Sequence, residues 1–135
     1  MRFARIVFVT AGIWGIAVLT PFYWLVDITG RRYSPPGDYP NFFYGFLGVA
    51  LAWQLAFLMI GARPARFRAL MIPGTIEKFG YVATTLVLYA LGRIPWVDAQ
   101  AAVPDGLLGV LFVVAFLKTR DVRRTAMMGV SHVEN

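Results

Sequence analysis

The chain has 135 residues, of which 59% are apolar and only 15% are charged, and its formal net charge is +6. Average soluble proteins have about 25% charged residues, so the polar side chains here are too few to cover the surface of a soluble domain of this length. The chain lacks cysteine, which excludes disulfides and thiol chemistry, and its single histidine, His132, cannot build a bis-histidine haem or metal centre within one chain.

The first apolar run, Ile6 to Val26, has 21 residues without a charge. About 20 such residues cross a hydrocarbon core of roughly 30 Å, so a transmembrane helix is predicted over about 4–26. Pro21 lacks an amide hydrogen, and the helix is expected to kink or end near it. A cleavable signal peptide is the alternative, but this run is longer than the apolar region of such peptides.

The second apolar run follows a loop, Ile28 to Pro40, that is rich in proline and glycine. The run predicts a second transmembrane helix over 42–62. It carries a stripe of small residues at spacings of three and four, which is typical of helices that pack closely in lipid, against another helix of the chain or in an oligomer. This stripe consists of Gly45, Gly48, Ala52 and Ala56.

A basic hinge over 63–68 separates the second helix from a third, predicted over about 70–92. The fourth apolar run is short and predicts a helix over 104–119, with Pro104 at its start and Asp105 near the positive end of its dipole. A re-entrant or surface helix is the alternative for this run. Residues 120–135 are predicted to form a basic cytoplasmic tail.

The distribution of basic residues predicts the orientation of the helices. With four spans, nine basic residues lie on one side of the membrane and three, Arg31, Arg32 and Arg93, lie on the other. Both termini are therefore expected in the cytoplasm, and the expected fold is an all-α transmembrane four-helix bundle, N-in/C-in, in a single domain. The basic residues expected to contact anionic lipid headgroups are Arg63, Arg66, Arg68, Lys118, Arg120, Arg123 and Arg124.

Glu77 is an ionisable residue within the third apolar run, where its insertion is costly. If the second and third helices form an antiparallel hairpin, Gln54 lies at a similar depth and brings an amide next to this carboxylate. Alternatively, Pro73 and Gly74 begin the third helix, and Glu77 then lies near the headgroups. In a third possibility, Glu77 forms a purely structural bond between helices. Because neighbouring residues of a helix point about 100° apart, Glu77 is not expected to pair directly with Lys78. Asp105 is expected at the opposite face of the membrane.

The candidate ligand-binding residues combine these polar groups with nearby aromatic side chains that could stack on a quinone or another flat ligand. Plain packing is the alternative for the aromatic residues. The full set consists of Gln54, Glu77, Trp53, Tyr81 and Thr10.

Two segments carry a resemblance to known proteins. The segment 42–54, with its aromatic opening and Trp53-Gln54, and the segment 71–78, with Glu77-Lys78, are similar to a group of small uncharacterised bacterial integral membrane proteins. The four-span plan with a basic hinge also loosely resembles the DoxX-like membrane proteins. The resemblance implies a bacterial inner-membrane location, and it implies no activity and no functional residue.

Three classes of function remain at this point. A non-enzymatic accessory or interaction subunit, which contacts another membrane protein or a second copy, is favoured. A binder or carrier of a lipid-like ligand such as a quinone is the alternative, and an intramembrane enzyme with Glu77 as acid or base is the third class. The sequence predicts no cofactor and no metal. It also predicts no nucleic-acid partner, because its basic residues separate apolar runs instead of forming one basic face.

Overall fold

The computed structural model describes residues 1–25 and 40–130 of the chain, and the side chains of 1–25 and 41–119. All regular structure in these ranges is helical, which confirms the all-α prediction. Short helical turns at 22–25, Arg68–Leu70 and Trp96–Ala99 lie between the long helices. The four long helices are α1 (Arg2–Leu19), α2 (Pro40–Ala62), α3 (Met71–Ala90) and α4 (Ala102–Val130).

The end of α1 agrees with the expected effect of Pro21. The helix stops at Leu19, and the hydroxyl of Thr20 donates a hydrogen bond of 2.6 Å to the carbonyl of Ile16. Helical structure resumes at 22–25. The ring of Pro21 and its missing amide hydrogen interrupt the regular backbone hydrogen bonds of the helix at this point. The predicted loop that contains Arg31 and Arg32 lies outside the described residues.

The last helix is longer than the sequence predicts. α4 runs to Val130, so residues 120–130 extend this helix in place of the predicted tail. Arginine, alanine and methionine have high helix propensities and supply most of this extension, and the helix therefore continues beyond its apolar segment. Residues 131–135 lie outside the described part of the chain.

Three helical segments in the described residues are long and apolar enough to cross a membrane: Arg2–Leu25, Asn41–Ala62 and Trp96–Thr119. The chain thus has the helices of a membrane protein. The sequence predicts four such segments, and α3 is the predicted span that is not among these three. Its 20 residues include Pro73, Gly74 and the charged pair Glu77 and Lys78, which lower its mean hydropathy.

The packing of the helices does not follow a simple hairpin between α2 and α3. α2 packs most extensively against α1, α3 packs against α4, and α1 also contacts α4. α2 and α3 meet through few residues, among them Phe57 and Gly74. The expected α2/α3 hairpin is therefore wrong as a packing unit, because each of these helices has a better-fitting neighbour elsewhere in the bundle.

Three phenylalanine rings fill the centre of the bundle. Phe8 of α1 stacks on Phe112 of α4 with ring centroids 4.1 Å apart, and Phe57 of α2 meets Phe112 edge to face at 4.9 Å. All three side chains are fully buried. Such aromatic pairs are attractive beyond the apolar area that they bury. The rings therefore join α1, α2 and α4 into one solid core.

The close contact between α1 and α2 depends on glycines outside the predicted stripe of small residues. A Cβ atom at Gly12 would lie 2.9 Å from the backbone oxygen of Gln54, and one at Gly61 would lie 3.0 Å from the amide nitrogen of Val9. By contrast, Gly45 and Gly48 of the predicted stripe are exposed, and nothing lies within 4 Å of a Cβ at Gly45. At these two glycines the stripe is therefore not covered by another long helix of the chain, and its packing in an oligomer stays a prediction.

Candidate functional site

Three ionisable side chains meet between α3 and α4. The ammonium nitrogen Nζ of Lys78 lies 2.9 Å from Oδ1 of Asp105 and 3.3 Å from Oε2 of Glu77. We call these three residues the charge cluster. Lys78 also lies over the ring of Phe57, with Nζ 5.5 Å from the ring centroid, so the aromatic core and the charge cluster are in direct contact.

The local sequence of α3 explains the positions of Glu77 and Lys78. The helix begins at Met71, and Pro73 lies in its first turn, where a missing amide is tolerated. Glu77 is consequently in the second turn and not at the helix start. Gly74 lets the ring of Phe57 approach the backbone, because a Cβ there would lie 2.9 Å from Cε1 of Phe57.

The register between α3 and α4 is set by two other close contacts. A Cβ at Gly109 would lie 3.0 Å from the ring of Phe79, and one at Gly106 would lie 3.7 Å from Val82. These small residues let α4 lie close to α3. As a result, Asp105, in the first turn of α4, is brought alongside Lys78.

Two expectations about these charges are wrong. Glu77 and Lys78 do form an ion pair, because the long lysine side chain can bend sideways far enough to reach its neighbour. Asp105 does not lie at the opposite face of the membrane from these groups, because the packing of α3 on α4 places it against Lys78. A signal was present in the sequence: two apolar segments carry ionisable residues of opposite sign, and such residues pair inside membranes.

The charge cluster holds two carboxylates and one ammonium, so its formal net charge is −1. Lys78 is the most enclosed member, with 7% of its side chain exposed, against 26% for Glu77 and 24% for Asp105. The Oε2 atom of Glu77 is buried and accepts no hydrogen bond, although it is within ion-pair distance of Lys78. Lys78 and Asp105 therefore form the close pair, and Glu77 is the surplus carboxylate.

The structure does not gather the five predicted ligand-binding residues at one site. Gln54 is buried against Gly15 of α1, and its Nε2 donates a hydrogen bond of 2.9 Å to the carbonyl of Ala50 in its own helix. Trp53 lies beside Phe57, with centroids 6.0 Å apart. The amide nitrogen of Gln54 thus bonds within α2.

The other predicted residues lie on two different surfaces. Tyr81 is exposed on α3, one turn after Glu77. Thr10 lines a groove of about 190 Å³ between α1 and α4, together with Trp14. The surface of this groove is apolar, and its other lining residues are Ala11, Pro104, Leu107 and Leu108.

Basic residues cluster at the end of the bundle that contains the hinge over 63–68. The guanidinium carbon of Arg68 lies 3.8 Å above the ring of Phe116, and Nη2 donates a hydrogen bond of 3.4 Å to the carbonyl of this residue. The ammonium of Lys118 lies 4.6 Å from the ring centroid of Phe3. Contact of these residues with anionic lipid stays a prediction, and the side chains of Arg120, Arg123 and Arg124 are outside the description.

Within the described ranges, no group of three or more His, Cys, Asp or Glu side chains is placed to hold a metal ion. The charge cluster is instead a set of ionisable groups on helices of a membrane protein. A comparison of the chain with protein-family models, curated proteins and solved structures finds no match. The resemblance to small bacterial membrane proteins, including the DoxX-like ones, therefore stays a prediction.

Proposed function

We propose that the protein is a non-enzymatic accessory subunit that binds another integral membrane protein through the outer surfaces of its helices. The observation that carries this proposal is the closed core of Phe8, Phe57 and Phe112, all fully buried. A bundle filled in this way has no room at its centre for a substrate, so its outer helix faces are left for recognition. The polar groups support the same view, because Lys78 pairs with Asp105 inside the bundle.

We further propose four membrane spans, with both termini in the cytoplasm of a bacterial cell and the bundle in its inner membrane. Twenty residues of α3 extend for about 30 Å, which is enough to cross the hydrocarbon core. Pairing of Lys78 with Asp105 lowers the cost of placing charges there. The nine-to-three distribution of basic residues supports this orientation.

The accessory role can be tested by photocrosslinking in native membranes. A photoreactive phenylalanine derivative is placed at one exposed position on each long helix, and at buried Phe112 as the control. A discrete adduct with one membrane polypeptide, restricted to one or two helices, is expected. Adducts with lipid alone at every exposed position would contradict the proposal. The four exposed positions are Trp14, Phe46, Tyr81 and Leu107.

The groove beside Thr10 and Trp14 favours a second candidate function, the binding of a lipid-like ligand such as a quinone. Its apolar lining suits an isoprenoid or acyl segment, and its volume of about 190 Å³ would hold part of such a chain. Replacing Leu107, a lining residue, with Trp would fill the groove. Loss of a co-purifying lipid from L107W, measured by native mass spectrometry, would support this function. The matched control is Leu55→Trp, at an exposed position on α2.

A further inference from the structure

One face of α3 is largely uncovered within the described part of the chain. At 100° per residue, Glu77, Gly80, Tyr81 and Thr84 lie on one side of this helix, and we call them the open face. Gly74, which meets Phe57 of α2, lies at the edge of this face about 20° from Tyr81, and Phe79, which meets Gly109 of α4, lies on the opposite side of α3. Gly80, Tyr81 and Thr84 are exposed, and Glu77 is partly exposed.

The composition of the open face differs from that of a surface that only contacts lipid. It combines a glycine, a threonine, a tyrosine hydroxyl and a carboxylate, whereas the outward position Ile76 next to it is apolar and 65% exposed. Small and polar residues are typical of surfaces where transmembrane helices pack against each other. Nothing lies within 4 Å of a Cβ at Gly80, so a second helix backbone has room to approach there.

The charge of the open face indicates what the second helix must supply. Lys78 is shared between Asp105 at 2.9 Å and Glu77 at 3.3 Å, and the longer contact leaves Oε2 of Glu77 without a hydrogen bond. Glu77 lies about 9 Å along α3 from its start at Met71, away from the helix end. Two carboxylates on one ammonium leave a net charge of −1, which a positive group on the second helix would balance.

Within the described part of the chain, Lys78 is the cation at the charge cluster, and it is shared by two carboxylates. Among the described residues, the other basic side chains lie near the ends of helices or of the apolar segment Trp96–Thr119, at Arg2, Arg5, Arg63, Arg66, Arg68, Arg93 and Lys118. A second copy packed symmetrically on the same face would bring a second Glu77 instead of a cation, and like charges repel.

We therefore propose that the open face of α3 binds a transmembrane helix of a different protein, and that this helix presents a lysine or arginine to Glu77. This inference rests on the accessory role proposed above and names the chemistry of the partner. Gly80 allows the close approach of the two backbones, and the hydroxyls of Tyr81 and Thr84 lie beside the contact.

The test uses synthetic transmembrane peptides in vesicles of zwitterionic phosphatidylcholine. Three apolar 23-residue peptides, on the order of one bilayer span, differ only at their central residue, which is lysine, leucine or glutamate. The full-length protein contains no cysteine, so a single fluorophore can be attached in the variant Leu91→Cys near the end of α3. Energy transfer between labelled protein and labelled peptide measures their association.

The expected result is that the lysine peptide associates about tenfold more tightly than the leucine peptide, and the glutamate peptide does not associate. Equal association of the lysine and leucine peptides with the unaltered face would overturn the proposal, since a neutral Glu77 has no preference for a cation. Energy transfer between two copies of the protein that exceeds transfer to the lysine peptide would overturn it as well.

Two variants locate the contact without disturbing the core. E77Q should abolish the preference for lysine while keeping the pair of Lys78 with Asp105, and G80L should weaken association by blocking backbone approach. G45L, at an exposed glycine of α2 with open space around it, is the matched control and should change nothing. A preference for lysine that survives in E77Q would overturn the assignment of Glu77.

The outcomes separate this inference from the proposed function. A polypeptide crosslinked at Tyr81 in native membranes, combined with no preference among the peptides, would overturn the inference and leave the accessory role intact. A preference for lysine without any polypeptide crosslinked at the four exposed positions would overturn the accessory role and leave the cation preference of Glu77 standing.

Discussion

Lys78 of α3 and Asp105 of α4 form an ion pair with 2.9 Å between Nζ and Oδ1, and this pair ties together two helices that contact each other extensively. The ammonium lies against the aromatic core through Phe57, while the remaining carboxylate, Glu77, lies at the open face. One lysine thus holds the bundle together on its inner side and leaves a negative charge on its outer side.

Replacing Lys78 with methionine should destabilise the bundle strongly. The variant keeps a chain of similar length but leaves two carboxylates near each other without a cation, and removing one partner of a buried ion pair costs about 3–5 kcal/mol. The measurement is the free energy of unfolding in mixed micelles on titration with sodium dodecyl sulfate. K118M, at an exposed lysine over Phe3, is the control and should lose about 1 kcal/mol or less.

The two carboxylates of the charge cluster should differ in their importance for stability. D105N breaks the close pair with Lys78 and should lower the free energy of unfolding by about 2 kcal/mol, whereas E77Q should lower it by less than about 1 kcal/mol. The same unfolding titration compares the two variants. Equal losses in both would show that Lys78 is shared evenly and that Glu77 is not the surplus carboxylate.

Two glycines of α3 provide a matched test of the core packing. G74A should destabilise the protein by about 1–3 kcal/mol, because the added methyl group meets the ring of Phe57, which is held in place by Phe112. G80A adds the same methyl group in open space and should be neutral or stabilising by up to about 1 kcal/mol. A harmless G74A would mean that Phe57 can move and that the aromatic core is not rigid.

Cysteine accessibility tests whether α3 crosses the membrane. Arg66→Cys and Leu91→Cys lie before and after α3, and the chain has no native cysteine to interfere. In intact cells, a membrane-impermeant maleimide should label position 91 and not position 66 if α3 spans with the hinge in the cytoplasm. Labelling of both positions only after the cells are lysed would rule out the fourth span and the proposed orientation.

The amino-acid sequence by itself determined the helical class and most helix positions. Uncharged runs such as Phe42 to Ala62 have one favourable structure in a bilayer, because every backbone amide must be bonded within the segment. Pro21 similarly predicted the end of α1 from its own covalent chemistry. These are local properties, and each depends only on residues within one segment.

The partners of the helices were decided only in the tertiary structure. Sequence order suggested that Gln54 and Glu77 face each other across neighbouring helices, but α2 packs on α1 and α3 on α4, so Gln54 meets Gly15 and Lys78 meets Asp105. Which surfaces pair depends on steric fit at glycines such as Gly12 and Gly109. Hydropathy gives no information on this fit, because the surfaces compared are almost equally apolar.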